Sequence, residues 1–322
     1  MPPPGFRPPG FRPPPPGRWL VAVSGGSDSV AACLWCQHLP GVQLVVAHYN
    51  HAQRQAASDE DEAFVRALAG AAGLPFVSGR LRPASMTDVG TNPLRRNRSA
   101  RLRAARFDFL AEAAAAEGCR GVVLGHHQDD QAETLLLRLQ RGGSLLGLCG
   151  MARHTRRGSL DLFRPLLALP KAAVVDLLMS QGQTWREDAS NTHRQYARNV
   201  ARRLLTDRPT LKTPLLELAR RSRAWRRWLE AAGGPLPETF AVGLLADLPK
   251  PAAVFAARRW LLAHGVPGEA MSDAVAARLV RQAADAATPA QLAYPGGVRV
   301  CRRRGVVRAE QKAGLRPQDR SG

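Results

Sequence analysis

Six residues, Ser24-Gly25-Gly26-Ser27-Asp28-Ser29, stand between an apolar run at 19–23 and a helical pattern that continues to about Leu39. Two glycines let the backbone turn with its amides directed inward. The helix N-terminus adds partial positive charge, and the serine hydroxyls add donors, which together make a cradle for phosphate. The loop lacks the lysine of GxxxxGK[ST] and lacks GxGxxG, so it is neither a Walker loop nor a dinucleotide fingerprint. Asp28 inside such a cradle repels a phosphate unless a cation stands between them, which calls for Mg²⁺ at Asp28. The bland alternative is an ordinary strand–turn–helix with a capping serine.

A second constellation is Gly125-His126-His127-Gln128-Asp129-Asp130-Gln131-Ala132-Glu133-Thr134. Asp130 and Glu133 are three apart, so a helix sets them on one face. Paired carboxylates can hold a metal ion or grip an ammonium group, although carboxylates also favour any helix start. His126 falls at a strand end, where parallel sheets place their sites. His48, His51, His126 and His127 could suggest zinc, but no cysteine pair stands at zinc spacing and a phosphate loop is near. The five cysteines are odd in number and scattered, unlike a disulfide framework, and Cys33 and Cys36 lie inside a helical pattern as packed thiols.

Charge adds a polyanion. Lys and Arg number 46 against 26 Asp and Glu, a net charge of +20 carried mostly by arginine, whose planar fork grips phosphate through two hydrogen bonds. Arg95, Arg96, Arg98, Arg101, Arg103 and Arg106 crowd one helix with few carboxylates, so phosphates of a nucleic acid are their natural counter-ions, a solvated helix face being the alternative. Arg220, Arg221, Arg223, Arg226 and Arg227 repeat the theme around Trp225 and Trp228, whose rings read more readily as core than as base-stacking platforms.

The elements that must position these groups alternate. Strands are expected at 19–23, 42–47, near Phe76 and at 122–124, and helices through Leu39 and over 57–72, 94–117 and 128–140. This is an α/β fold, a parallel sheet with helices on both faces, followed by a smaller, mostly helical domain. An edge strand is expected at 163–167 and a helix from Pro170 to about Gly182. Pro209 and Pro214 suggest a linker, and 292–308 a hairpin turning at Pro295-Gly296-Gly297 or Arg304-Gly305. The expected domains are a disordered proline-rich extension over 1–16, a catalytic domain over 17–207, a small C-terminal domain over 208–311 that contacts the nucleic acid, and a polar tail over 312–322. No apolar run approaches the roughly 20 residues of a membrane span, and the first apolar stretch is too short for a signal peptide, so a cytoplasmic protein is expected.

The sextet matches the SGGxDS loop of the PP-loop ATP pyrophosphatases, which cleave ATP to AMP and pyrophosphate while activating a substrate oxygen. Further segments resemble the lysidine synthases. His48-Tyr49-Asn50-His51-Ala52-Gln53-Arg54 is similar to HxNHxLR, with Gln53 for leucine. Ala105-Arg106-Phe107-Asp108-Phe109-Leu110 resembles ARYxFL. The stretch from Gly125 to Ser144 resembles GHHxDDQAETxLLRLxRGSG, with serine and glycine inverted at Gly143-Ser144. Glu187-Asp188-Ala189-Ser190-Asn191 with Arg198-Asn199 resembles EDxSN…RN, and Arg164-Pro165-Leu166-Leu167 completes the order.

The resemblance implies ATP at Ser24, Gly25, Gly26, Ser27, Asp28 and Ser29, Mg²⁺ at Asp28 and Asp130, and chemistry at Asp28, His126, Asp130, Glu133 and Arg198. It implies contacts to tRNA from Arg54 and Arg106 beside the anchors at 95–103. The partners are then a tRNA(Ile) with a CAU anticodon and free L-lysine, with a homodimer left open. The alternatives are another PP-loop tRNA-modifying enzyme, such as a thiolase, and a non-catalytic RNA-binding protein.

Overall fold

The computed structural model describes residues 7–52, 56–81, 98–186 and 197–310, with side chains from residue 101 onward in the third stretch. The chain divides into two compact units, Met1–Ala219 and Arg220–Gly322.

The first unit contains the strands β1 (Gly17–Ala22), β2 (Val42–Asn50), β3 (Phe76–Arg80), β4 (Gly121–Leu124), β5 (His154–Arg157) and β6 (Leu160–Phe163). Its helices are α1 (Ser27–Gln37), α2 (Ala56–Ala71), α3 (Arg98–Ala116), α4 (Gln128–Gln140), α5 (Lys171–Ser180) and α6 (Ala197–Asp207). The six strands lie in the order β3-β2-β1-β4-β6-β5. All pairs are parallel except β5, which folds back antiparallel on β6. Alternation along β1 builds two cores, as a sheet covered on both faces requires. Trp19, Val21 and Val23 pack with Val30, Leu34 and Trp35 of α1 and Val174 and Leu178 of α5. Leu20 turns the other way, among Phe107, Leu110 and Ala114 of α3.

Three local expectations change. The last part of the proline-rich stretch, residues 7–16, lies against the fold rather than outside it. Phe11 is buried and meets Trp35 edge-on at 6.2 Å, the Arg12 amide donates to the Pro165 carbonyl at 3.1 Å, and Trp19 Nε1 donates to the Pro15 carbonyl at 2.9 Å. The strand expected at 163–167 ends instead at Phe163 and lies inside the sheet, because the polar strand β5 takes the edge. The linker expected between Pro209 and Pro214 is a single 3-10 turn, Pro209–Leu211, leading into a long helix, α7 (Lys212–Gly233). Pro214 falls in the first turn of α7, where its missing N–H costs nothing.

The second unit holds most of α7 with α8 (Gly243–Ala246), α9 (Lys250–Ala263) and α10 (Asp273–Ala284). It also holds a four-stranded antiparallel sheet ordered β7-β10-β9-β8: β7 (Thr239–Ala241), β8 (Gln291–Tyr294), β9 (Val298–Arg303) and β10 (Val306–Glu310). Both turns proposed for the hairpin exist, one between β8 and β9 and one between β9 and β10. The α9 and α10 helices cover this sheet through Ala257, Trp260, Leu261 and Leu279, with Phe240, Val300 and Val307 from the strands. Among the described residues no helix is long and apolar enough to cross a membrane.

Candidate active site

The site follows from strand order. The two halves of the sheet part at β1 and β4, which lie side by side with Ala22 opposite Leu124. Chains leaving neighbouring parallel strands on opposite sides of such a reversal leave a crevice beyond the strand ends. Here the loop after β1 is the Ser24–Ser29 sextet and the loop after β4 is Gly125-His126-His127. The two loops touch: a Cβ on Gly125 would stand 2.6 Å from the Asp28 carbonyl oxygen and 2.9 Å from the Ser29 amide. Only glycine admits that approach.

The sextet forms the turn its composition demands. Gly25 takes φ +96, a conformation L side chains rarely adopt, and Gly26 is the extended N-cap of α1. Ser29 Oγ donates to the Gly26 carbonyl at 2.8 Å and accepts from the Ser24 amide at 3.1 Å, which closes the loop. Asp28 does not stand alone. Lys171 Nζ, from the start of α5, lies 2.6 Å from Asp28 Oδ1 and 2.6 Å from Ser27 Oγ, and His127 Nε2 lies 3.4 Å from Asp28 Oδ2. Burial works to raise the Asp28 pKa, but His127 and Lys171 outweigh it and hold the carboxyl below its usual range.

From His127 the polar chain continues along α4. Asp130 Oδ2 accepts from the His127 amide at 2.9 Å and so caps the helix. Arg198, from α6, reaches both predicted carboxylates, with Nη2 at 2.6 Å from Asp130 Oδ1 and Nε at 2.8 Å from Glu133 Oε2. Arg202 takes the other Glu133 oxygen at 2.7 Å. Glu133 is almost fully buried, and a buried carboxylate requires such partners. Asp130 and Glu133 therefore form one network with Arg198 and Arg202. Burial works against the charge on Arg198, but both carboxylates raise its pKa.

The adjacent histidines are shifted in opposite directions. Burial, helped by Arg164, Arg198 and Arg106 and opposed by Asp130, pushes His126 down to about 3. For His127 burial is outweighed by Asp28 and Asp130, and its pKa is raised. In a pH titration followed by NMR, the His126 ring signals should stay fixed across the range near pH 6.5 while those of His127 titrate above that value. A His126 titrating near neutrality would overturn this account of the site's field. The sign for stability follows: protonated His127 contributes fully below about pH 6.5, and that contribution is lost as pH rises through its folded pKa.

The remaining predicted residues divide. Arg106 is near the site, its pKa pushed down to about 10 by burial and by Arg103 and Arg198, and its Nε has no hydrogen-bond partner. The Nδ1 of His126 and the Nε of Arg164 are likewise buried without a hydrogen-bond partner from the protein. Arg103, expected among the upstream anchors, shares the field of Arg198 and Arg157, and both it and Arg157 lie over the Phe107 ring at 5.2 and 4.5 Å. Arg101 lies on α3. Arg54, Arg95, Arg96 and the segment 187–191 fall outside the described residues, and only the backbone of Arg98 falls inside them.

Several motif residues hold architecture. Gln131 exchanges two bonds with the Met151 backbone at 2.7 and 2.6 Å, and Arg138 binds the carbonyls of Gly147 and Gly150. Asn50 ties the end of β2 to Ser58, Asp59 and Glu62 of α2, and His48 Nδ1 lies 2.9 Å from the Val23 carbonyl. Asp129 accepts from the Lys171 amide at 2.8 Å and pairs with Lys212. Cys33 and Cys36 are buried in α1, where burial raises both thiols, Cys33 to about 12. Lys171, Arg202 and Lys212 were not singled out from the sequence. The available signal for Lys171 was its place directly after Arg164-Pro165-Leu166-Leu167 and Pro170, at a helix start.

Among the described residues no three or more His, Cys, Asp or Glu side chains converge as metal ligands. That does not disqualify Mg²⁺, which keeps water and binds through one or two carboxylates together with a nucleotide's phosphates. Asp28 and Asp130, both beside His127 Nε2 at 3.4 and 3.5 Å, supply oxygen donors of that kind.

Comparison with known proteins bears on these motifs. Residues 10–208 match the PP-loop domain family. The tRNA(Ile)-lysidine synthase of Geobacter sulfurreducens is 44% identical over 198 residues, which cover 58% of this chain and 39% of that protein. That of Rhodopirellula baltica is 38% identical over 66% of this chain and 60% of its own length. That of a Methylobacterium species is 37% identical over 266 residues, 81% of this chain and 74% of that protein. The chain thus spans 39% and 60% of the first two of these relatives. A solved U34-tRNA thiolase from Methanococcus maripaludis shares the fold at a TM-score of 0.50 and 16% identity, over 63% of this chain and 71% of that one. With the PP-loop domain matched over most of the first unit and a relative covered to 74%, the chain belongs to the tRNA(Ile)-lysidine synthase family of PP-loop proteins.

Proposed function

We propose that the chain ligates free lysine to C2 of the wobble cytidine in the CAU anticodon of tRNA(Ile), using ATP and Mg²⁺. The cytosine O2 attacks the α-phosphate of ATP and releases pyrophosphate, after which the lysine ε-amine attacks C2 and displaces AMP. The observation that carries this reading is the contact of the Ser24–Ser29 cradle with the His126–Glu133 helix start across the β1–β4 junction. A cradle read as a phosphate site then adjoins paired carboxylates and buried guanidinium groups, in a chain with net charge +20.

The chain's own residues divide the work. The loop amides and serine hydroxyls receive the phosphates. Asp28 and Asp130 would hold Mg²⁺, which supplies charge neutralisation for the departing pyrophosphate. Lys171, resting on Asp28 and Ser27, provides the cation that a Walker loop would carry in its own sequence. The imidazole of His126, kept neutral, and Arg106 face the base. Glu133 receives the incoming ammonium in place of one of its two guanidinium partners, Arg198 and Arg202. A sulfur-transferring reading needs an accessible low-pKa thiol. Cys33 and Cys36 are buried with raised pKa, which favours ligation over thiolation.

The test is pyrophosphate release with and without tRNA and lysine, followed by mass analysis of the nucleosides. Release that depends on tRNA, and a cytidine gaining lysine minus water, are expected. Release without tRNA, or a thiolated nucleoside, would refute the reading. Within the same assay Lys171→Met should raise the apparent KM for ATP about tenfold, the effect of losing one charge-assisted phosphate contact. An unchanged KM would reduce Lys171 to a structural partner of Asp28. Glu133→Gln should weaken lysine use more than ATP use, and unchanged lysine dependence in both Glu133→Gln and Asp130→Asn would remove the ammonium role.

A further inference from the structure

Trp225 and Trp228, which sequence reading favoured as core, are on the surface of α7, 37% and 42% exposed. Three apart on a helix, they share a face. Their rings stack with centroids 4.8 Å apart and planes within 16°. Ser222 and Leu229, 1% and 3% exposed, bury the adjoining face of the same helix, so the tryptophans stand at the border between that buried face and solvent. Two large rings left in water are unfavourable unless something covers them, and contiguous exposed apolar surface of this kind marks a binding surface.

The surrounding charge selects the occupant. Arg220, Arg221, Arg223, Arg226 and Arg227 outnumber the two carboxylates of α7, Glu217 and Glu230, of which Glu230 is 2.9 Å from Arg226. An apolar protein partner would have to desolvate these guanidinium groups, and a second copy of the chain would bring the same positive charge. A nucleic acid meets both demands, since bases stack on aromatic rings regardless of sequence and phosphates receive the arginine forks.

We propose that the Trp225–Trp228 face of α7 is a stacking platform for unpaired nucleotides of the tRNA, with the flanking arginines on its phosphates. This rests on the proposed tRNA reaction and specifies how the second unit takes part in it. The stacked pair is preorganised, so a base adds to an existing surface rather than ordering two free side chains. Because stacking releases no counterions, its loss lowers affinity without changing the salt dependence, whereas loss of a phosphate-binding arginine changes both.

The experiment measures tRNA(Ile) affinity at several salt concentrations for the full chain, Trp225→Ala/Trp228→Ala, Trp225→Phe/Trp228→Phe and Arg227→Gln, with circular dichroism and sedimentation on each. We expect the double alanine variant to stay folded and lose about 5- to 100-fold in affinity at an unchanged salt slope. The phenylalanine variant should recover most of that loss, and Arg227→Gln should lower the slope by about one unit. Affinity in the double alanine variant equal to that of the original chain overturns the platform. So does a dimer that this variant converts to monomer with affinity retained, because the face then serves a second copy. If the original chain binds tRNA but forms no lysidine, the proposed reaction fails while the platform is still decided by the alanine and phenylalanine variants.

Discussion

Asp28→Ala should abolish pyrophosphate release, by a factor on the order of 10³ or more, while the protein remains folded. Asp28 is partly exposed and pairs with Lys171 and His127 at the rim of the cradle, so its loss frees these two side chains without opening the core. Removing a negative charge from a phosphate site does not by itself weaken nucleotide binding. The deficit should therefore appear in the chemical step, with binding of ATP largely retained. Asp28→Asn should show the same loss, because the amide preserves shape but not charge. The check is a tRNA-dependent pyrophosphate assay alongside a thermal melt. Near-normal release from a folded Asp28→Ala protein would falsify the assignment of the metal and phosphate function to this residue.

The second large effect is expected at Arg198. Its guanidinium bridges Asp130 and Glu133, and Arg202 alone cannot satisfy what it leaves. Arg198→Ala should cost stability on the order of 2 kcal/mol, less than a fully buried break because Arg198 is partly exposed and Glu133 keeps one partner. It should also reduce lysidine formation by about 100-fold at saturating tRNA, since a cation aimed at developing charge acts in the reaction more than in binding. Arg198→Lys should restore charge and part of the stability but not the bidentate geometry, and hence little of the rate. The deciding measurement is turnover at saturating tRNA beside tRNA affinity. Poor affinity with normal saturated turnover would move Arg198 to the group of phosphate anchors.

The readable parts of this protein were those set by local rules. The glycine turn before α1 and the acidic start of α4 needed only strand–turn–helix periodicity to be placed at strand ends. The parallel sheet followed from alternation of apolar runs with helical patterns. What escaped depended on partners distant in sequence. Lys171 reaches Asp28 only because the order β1-β4-β6 brings α5 beside α1, and its place after Pro170 marks a helix start without naming that partner. Arg202 had no motif of its own and acquires its place from Glu133. The strand β5, His-Thr-Arg-Arg, has no apolar alternation because it is an edge with little to bury. Phe11 was hidden by the prolines around it, which correctly forbade a helix but said nothing about burial. Trp225 and Trp228 were misread because composition cannot tell which side of an arginine-rich helix meets the core.

The pairing of β1 with β4 also has a consequence for how the protein is made. Leu20 finds Val122 about a hundred residues later in the chain. The entropy of closing so long a loop must be met before either strand gains its neighbour, which places this junction among slowly formed contacts. During synthesis the glycine loop leaves the ribosome well before the histidines that complete it, and at about 5–20 residues per second that interval lasts several seconds or more. Until β4 arrives, the exposed edge of β1 and the Val21 and Val23 side chains are open to wrong partners. Nascent chains stalled before residue 120 should therefore bind chaperones, and chains released past β6 should not.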